Sequence, residues 1–407
     1  MADAAAAIAA GLDADGGDLV ACALPDSPEL VALMLGAALS NSSLVNLGTE
    51  LPRGERERLQ AELSWERCID SSSEVAALIE TGGVQSARDT GRGELLVLTS
   101  GTTGQPKCAR YSWDDLLAQI PAPQEQAGSE RWLLAYRLSH FAGVQMLLHV
   151  LLAGQSLAIP LSARMGDALE ALGKFRVSHL SSTPTFWRFA LAAMGDALPP
   201  LRQITLGSEA VPQSLLTGLA QKFPAARIVH IYATTELGSC VSVSDGRAGL
   251  PATILQRGAG AAIQFRIEED ELWVRSRHGM QAYVNEAAVA GEWRATGDLV
   301  RLEGDRIHFL GRRSETINVG GVKVFPREAE ECIAALPEVK LVRAYGRENP
   351  VTGQIVAVDI VLQDGCDPDI VEERVFEVCR DLSRHSQPRS VNFVDELATR
   401  NMKLERR

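Results

Sequence analysis

The residues best suited to chemistry stand in one short run, LVLTSGTTGQPK over residues 96–107. An apolar stretch leads into Thr99, Ser100, Thr102 and Thr103, interleaved with Gly101 and Gly104, and then into Lys107 behind a proline. Glycines let backbone N–H groups turn toward one point, hydroxyls add donors, and a lysine neutralises negative charge, so this composition describes a cradle for an anion such as phosphate. Gly, Ser, Thr and Pro also build ordinary surface turns. This run differs from a turn in the buried-strand pattern that precedes it (ELLVL, residues 94–98), in its alternation of hydroxyls with glycines, and in its closing cation. The spacing G-x-x-x-x-G-K-[ST] is not met, because Gly101 and Gly104 stand three apart and Lys107 follows Pro106. A nucleotide chemistry other than that of the common P-loop is indicated.

Such a cradle needs a framework to hang from. Residues 19–47 carry an apolar strand-like piece (LVACALP), a helix begun by Ser27-Pro28-Glu29, and a second strand, which is the βαβ rhythm of a layered α/β domain. A polar, charged segment over residues 52–70 and a Ser- and Gly-containing stretch over residues 70–93 lead to the cradle. Helix and strand patterns alternate onward through MLLHVLLAGQSLAIP, HLSSTPTFWRFALAAM, ITLGSEAVPQSLLTGLAQKF and RIVHIYATTELG. After Gly249 the pieces AIQFRIEEDELWVRS and RIHFLGRR predict a small antiparallel β unit. Beyond Arg313, IAALPEVKLVRAYGR and QIVAVDIVLQD predict a compact α+β domain of about a hundred residues. The expected fold class is α/β: a large N-terminal domain of layered α/β subdomains plus a small β unit over residues 1–312, and a mobile α+β C-terminal domain over residues 313–407, joined by a short hinge at residues 311–314.

Composition excludes several classes. A formal net charge of −12 argues against a general nucleic-acid binder, which needs clustered Lys and Arg for the phosphate backbone. The seven cysteines are odd in number, scattered (22, 68, 108, 240, 332, 366 and 379) and free of C-x-x-C spacing, so neither a disulfide framework nor a zinc site is expected, and a reducing cytoplasmic compartment fits. The N-terminus has no basic region and no long apolar core, and no run approaches the about 20 apolar residues of a membrane span, so neither a signal peptide nor a membrane partner is expected.

Further pieces follow the cradle in a fixed order: IYATTELG (residues 231–238), WRATGDLV (residues 293–300), GRRSETINVGGVKVFPREAE (residues 311–330) and a terminal TRNMKLERR. This order resembles that of the adenylate-forming superfamily, which includes acyl- and aryl-CoA ligases, peptide-synthetase adenylation domains and luciferases. The resemblance extends over nearly the whole chain. It implies an AMP-forming ligase that joins a carboxylate to ATP, releases pyrophosphate, and passes the acyl group from the adenylate to a thiol. An anion attacking an anion requires positioning and charge neutralisation.

By the same resemblance Thr99, Ser100, Gly101, Thr102, Thr103, Gly104 and Lys107 grip the β- and γ-phosphates, and Glu236 binds magnesium with Thr235 beside it on a phosphate. Asp298 accepts both ribose hydroxyls, a task for an ionised two-oxygen acceptor, with Arg312 as its companion. Tyr232 stacks on adenine, Gly207, Ser208 and Glu209 edge the base, and Ala233 and Thr234 belong to the same nucleotide-binding set, Ala233 also narrowing the acyl pocket by one methyl. Lys403 is the adenylation lysine and Ser314 the pivot between orientations of the small domain. The chain departs from the family in having Met402 for the usual glycine before that lysine, Ser314 for an Asp or Lys, Ala233 for a frequent glycine, and only 98 residues before Thr99.

His140 falls where CoA ligases carry a residue that gates the carboxylate site, and Phe141, Val144, Thr183, Leu237 and Gly238 join Ala233 as walls of a modest, mostly apolar cavity. Amino-acid-activating relatives place an Asp near His140; here its neighbours are Phe141, Ala142 and Val144, and burying an ammonium without a carboxylate is costly. An aryl or medium-sized aliphatic acid is expected. Succinylbenzoate is one such acid, and it calls for an extra cation that the sequence does not identify. Gly320 and Gly321 lie where the family brings glycines against a pantetheine arm, and a side chain there would block the tunnel. Coenzyme A is the expected acceptor, with ATP and Mg2+ as the other requirements. A stand-alone acyl-carrier protein, an amide-forming reaction and a homodimer stay open, as does a non-catalytic relative that binds nucleotide or acid.

Overall fold

The helix start at Ser27 forms as its chemistry requires. Ser27 is extended, its hydroxyl oxygen accepts from the Leu30 N–H at 3.2 Å, and Pro28 fills the first position of the helix Pro28–Leu39. The helix buries Leu30, Leu33, Met34 and Ala37, and it is flanked in sequence by the strands Val20–Cys22 and Leu44–Asn46, which pair in parallel. The βαβ unit read from the sequence is therefore present. The computed structural model of the chain describes residues 1–14, 19–82, 92–100, 105–120, 129–162, 164–194, 199–287, 291–400 and 403–404, and of residues 14, 100, 399, 400, 403 and 404 the backbone alone.

Packing divides the chain into two units, Met1–Ser181 with Tyr232–Cys240 and Ser276–Glu292, and Ser182–Ile231 with Val241–Arg275 and Trp293–Arg407. In the first, a six-stranded sheet runs in the order Ala282–Tyr283, Pro106–Ser112, Glu94–Ser100, Leu44–Asn46, Val20–Cys22, Arg67–Ile69. The last four strands pair in parallel, whereas Pro106–Ser112 is antiparallel to both its neighbours. The core of this unit includes Leu30, Leu33, Leu95, Val97, Tyr111, Trp113, Phe141 and Val144. Each such side chain taken out of water contributes about 1.5–3 kcal/mol, which is what fixes the strand bearing Thr99. A second parallel group is formed by Ser156–Ala158, Arg131–Leu134 and His179–Ser182.

The charged segment over residues 52–70 is more regular than its composition suggests. It forms the helix Arg53–Leu63, whose one buried residue is Leu59, followed by the strand Arg67–Ile69. Ion pairs of Arg53 with Glu57 and of Arg58 with Glu55 and Glu62 stand three or four residues apart, the spacing at which a helix surface brings side chains together. The Ser-rich stretch after it carries the helix Ser72–Gly82.

In the second unit Gln203–Gly207 and Arg227–Thr234 pair in parallel, with Gly207 opposite Ile231. The β unit expected after Gly249 is a five-stranded sheet in the order Leu250–Pro251, Arg306–Arg312, Trp293–Glu303, Glu271–Ser276, Ile263–Glu268. The C-terminal portion has strands Ile317–Val319, Val322–Val324, Val339–Asn349, Gly353–Leu362 and Ser390–Phe393 with helices Pro326–Ala334 and Pro368–Val378. These elements enclose their own core of Ile317, Ile333, Val342, Val358, Ile360 and Val375. The mixed α/β class expected from the sequence is the one observed.

Candidate active site

The strands on either side of the expected cradle pair antiparallel. Glu94–Ser100 and Pro106–Ser112 pair with Thr99 opposite Lys107 and Ser100 opposite Pro106, so the pairing sets Thr99 beside the lysine. Thr99 is 8% exposed, and its Oγ1 is buried with no hydrogen-bond partner among the described residues. A buried hydroxyl left this way costs about 1–3 kcal/mol, a cost that an incoming acceptor removes. Lys107 Nζ stands 3.1 Å from Glu286 Oε1 and 4.8 Å from the centre of the Tyr283 ring. Gly101, Thr102, Thr103 and Gly104 lie outside the described residues, and Ser100 is described in its backbone only.

Glu236 occupies the turn that follows Arg227–Thr234. Three bonds shape that turn: Thr234 Oγ1 accepts from the Leu237 N–H at 3.2 Å, the Thr235 carbonyl from the Tyr111 hydroxyl at 2.5 Å, and the Glu236 carbonyl from the Met280 N–H at 3.0 Å. The Tyr283 hydroxyl donates to Glu236 Oε1 at 2.6 Å. Through Tyr283 the structure brings together the lysine and the carboxylate that the motif order pairs.

Of the residues expected at the sugar and base, the second unit holds Asp298, Arg312, Gly207, Ser208 and Glu209, and the first holds Tyr232, Ala233 and Thr234. Asp298 lies directly across the antiparallel pair from Arg312, with Arg312 Nε 3.1 Å from Asp298 Oδ1. The carboxylate side chain is 10% exposed and the guanidinium 50%, so the arginine offsets the cost of a buried charge while reaching solvent. Gly207 ends its strand, Ser208 takes a left-handed backbone at φ 69°, and the Glu209 carboxylate accepts from the Thr185 N–H at 2.9 Å and the Thr185 hydroxyl at 3.0 Å. Glu209 thus anchors the first turn of the helix Pro184–Ala193, where a negative charge is favoured. Tyr232, Ala233 and Thr234 are half-buried along the strand after Ile231.

Comparison with known proteins identifies the family. The AMP-binding enzyme family model matches residues 92–284, and the model of the AMP-binding enzyme C-terminal domain matches residues 328–403. The chain belongs to the AMP-binding enzymes. It is 29% identical over 422 residues to the 2-succinylbenzoate–CoA ligase of Geobacillus kaustophilus, covering 94% of this chain and 85% of that protein. Among solved structures it resembles the o-succinylbenzoate CoA synthetase of Bacillus subtilis in complex with its acyl-adenylate intermediate (TM-score 0.74, 22% identity, 98% of this chain and 90% of that one). It also resembles the anthranilate CoA ligase AuaEII in complex with anthranoyl-AMP (TM-score 0.83, 19% identity, 99% and 89%).

Within this AMP-binding enzyme the expected acyl-wall residues are heavily packed. Phe141 and Val144 lie on the helix Phe141–Leu152 at 5% and 1% exposure, with the Phe141 ring stacked on Tyr111 at 5.4 Å. Leu237 is buried, and Gly238 has φ 79° with the Gln119 side chain standing where a Cβ would project. Gln119 donates to the His278 carbonyl and accepts from the Ser239 N–H, which ties the turn bearing Leu237 and Gly238 in place. Thr183, fully buried, caps Pro184–Ala193 by accepting from the Phe186 N–H at 3.0 Å. His140 stands at the N-cap position of Phe141–Leu152 without capping it, its Nδ1 3.0 Å from Ser139 Oγ.

Gly320 and Gly321 form the two-residue turn between Ile317–Val319 and Val322–Val324, at φ 60° and 87°. Positive φ at both positions is what a tight hairpin of this length demands, so glycine has a backbone reason here besides leaving room for a ligand. Ser314 lies exposed in the short turn Arg313–Glu315, and Arg313 Nη2 bonds Glu271 Oε2 at 2.8 Å while Glu271 Oε1 accepts from the Gly297 N–H at 2.7 Å. Arg313, next to the expected pivot Ser314, is therefore held beside the strand that carries Asp298. Lys403 pairs by its backbone with Arg400, and its side chain lies outside the described residues, as does Met402.

Four contributors had no motif to announce them: Tyr283, Gln119, Glu271 and Arg188. Burial pushes the Arg188 guanidinium below its ordinary pKa against the pull of Glu209 and Glu330, and among the described residues it has no hydrogen bond or close ion pair. An Arg following Phe186 and Trp187 on a helix is a sequence signal only once burial is known.

Proposed function

We propose that this chain is an AMP-forming acid–CoA ligase acting on an aryl acid, and that the acid carries a second carboxylate. The observation that carries the adenylation reading is the grouping of the unpartnered Thr99 hydroxyl, Lys107 and Glu236, a donor, a cation and a carboxylate suited to a polyphosphate. Glu236 Oε2 has no partner among the described residues, and no cluster of three metal-ligating side chains exists among them. The open carboxylate oxygen fits magnesium, which takes one or two carboxylates and completes its shell with phosphate oxygens and water. When bound, the ion neutralises phosphate charge.

In the reaction an oxygen of the substrate carboxylate attacks the α-phosphorus, the bond to the β-bridging oxygen breaks, and pyrophosphate leaves with the electron pair. Lys107 and Thr99 hold the departing pyrophosphate, Asp298 and Arg312 hold the ribose, and Tyr232 with Gly207 and Ser208 holds the base. Lys403 serves this first step. Sulfur then attacks the acyl carbon and AMP departs, with Gly320 and Gly321 giving the pantetheine arm passage and Ser314 the pivot between steps.

Two facts support the choice of acid. Along the sequence no Asp or Glu adjoins Phe141, Ala142 and Val144 to pair with an ammonium. Arg188, desolvated and without a hydrogen bond or close ion pair among the described residues, sits five residues after Thr183 and is the cation we assign to a succinylbenzoate-like acid. Relatives named for 2-succinylbenzoate agree. The test is acid-dependent exchange of labelled pyrophosphate into ATP over benzoate, anthranilate, 2-succinylbenzoate, a medium-chain fatty acid and an α-amino acid, followed by thioester release with coenzyme A. The dicarboxylic aryl acid should lead, and Arg188→Ala should remove its advantage over benzoate; selection of an amino acid, or no exchange with any acid, defeats the reading.

A further inference from the structure

We propose that Tyr283 is a positioning residue that sets Glu236 and Lys107 for the phosphates at once. The inference rests on the reading of these two residues given above. Tyr283 belongs to the short strand Ala282–Tyr283, whose place is fixed by pairing of Tyr283 with Ala109 and of Ala282 with Arg110. Bonds from the Gln281 N–H to the Arg110 carbonyl and from the Val284 N–H to the Cys108 carbonyl, each 2.9 Å, extend that fixation. The tyrosine is thus pinned to the strand that carries Lys107, and its ring lies 4.8 Å from the Lys107 Nζ. A cation over an aromatic face is attracted by the ring quadrupole, which limits where the ammonium goes.

The other end of the side chain does separate work. The Tyr283 hydroxyl donates to Glu236 Oε1 at 2.6 Å, which leaves Oε2 without a partner among the described residues. One oxygen held by a donor and the other open is the arrangement by which an outer partner orients a metal-binding carboxylate. The same segment grips the glutamate backbone: Met280 N–H bonds the Glu236 carbonyl at 3.0 Å, and Gly279 passes so close that a Cβ there would stand 2.6 Å from that oxygen. Residues 279–283 therefore form one bracket around Glu236, and Tyr283 is the part that reaches its charge.

Tyr283→Phe keeps the ring over Lys107 and removes the hydroxyl alone. Calorimetric binding of magnesium pyrophosphate to the full chain should weaken about tenfold, the lower end of the loss seen when an outer partner of a metal ligand is removed. The magnesium concentration for half-maximal pyrophosphate exchange should rise by a similar factor, with the KM for the acid and thioester release from supplied acyl-adenylate unchanged. Combined with Glu236→Gln, the substitution should add nothing further. Unchanged magnesium pyrophosphate binding in Tyr283→Phe, with Glu236→Gln impaired, overturns the inference and leaves the proposed function standing. Intact binding in Glu236→Gln itself overturns the assignment on which the inference rests. Loss of thioester release in Tyr283→Phe would mark general damage to the fold and likewise refute a positioning role.

Discussion

Thr99→Val changes the cradle by one hydroxyl and almost nothing in shape, and its effects on the free and the liganded protein should have opposite signs. Thr99 is 8% exposed and its Oγ1 has no partner among the described residues. An unsatisfied buried hydroxyl costs about 1–3 kcal/mol, so valine should raise the free energy of unfolding of the nucleotide-free protein by at least about 1 kcal/mol. With magnesium pyrophosphate or ATP present the balance reverses. The lost bond is one to a charged oxygen, worth about 1.5–3 kcal/mol, which corresponds to roughly ten- to hundredfold weaker binding. Urea unfolding with and without magnesium pyrophosphate, together with pyrophosphate exchange, measures both effects on one protein. A variant that is less stable when free and exchanges pyrophosphate like the parent would refute the reasoning, because the hydroxyl would then have a partner in the free protein and no duty toward phosphate.

Asp298→Asn retains shape but not charge opposite Arg312, and it should raise the KM for ATP about tenfold, the equivalent of one lost charged contact, while erasing the preference for ATP over its 2′-deoxy analogue; a preserved preference argues against the ribose role. At Gly321 the backbone is left-handed and a Cβ meets nothing within 4 Å, so Gly321→Asn should fold normally while Gly321→Leu loses about 1–2 kcal/mol. If the pair also guards the pantetheine path, both variants release thioester slowly while pyrophosphate exchange continues, and normal release by the Asn variant would restrict the glycines to the turn. Burial lowers the pKa of His149 and of His230 from the ordinary 6.5, so the folded state favours their neutral rings. Their contribution to stability is present above pH 6.5 and is lost as pH falls through the lower folded-state values, a slope that His149→Gln should reduce in urea unfolding measured across that range.

Much of the fold and the outline of the site can be read directly from local chemistry. Ser27-Pro28-Glu29 specifies a helix start because a hydroxyl cap and a proline act on their own backbone. Alternation in AIQFRIEEDELWVRS specifies a hairpin because strand side chains repeat every second residue, and the chain turns at Glu269 and Asp270 with φ 49° and 61°. The helix Arg53–Leu63 is obscure in sequence for the converse reason: with Leu59 alone buried it has no apolar stripe, and its support comes from pairs of charges that also suit a solvated linker.

The sequence by itself pointed to the kind of ligand, since hydroxyls, glycines and a lysine after an apolar strand suit an anion, and the order of TSGTTGQPK, YATTE, TGD and the terminal lysine placed the chain in its family. Tertiary structure alone decided which residues support those groups. Tyr283 lies 176 positions beyond Lys107 and 47 beyond Glu236, yet it touches both, because strand pairing lays residues 282–283 beside residues 109–110. Arg188 is an ordinary surface-type residue until burial removes its water, and Glu209 serves a helix start that only the fold puts beside it. Motif residues are legible because their side chains carry the chemistry; residues that hold them are not, because a hydrogen bond or a buried charge depends on distances that only the folded chain creates.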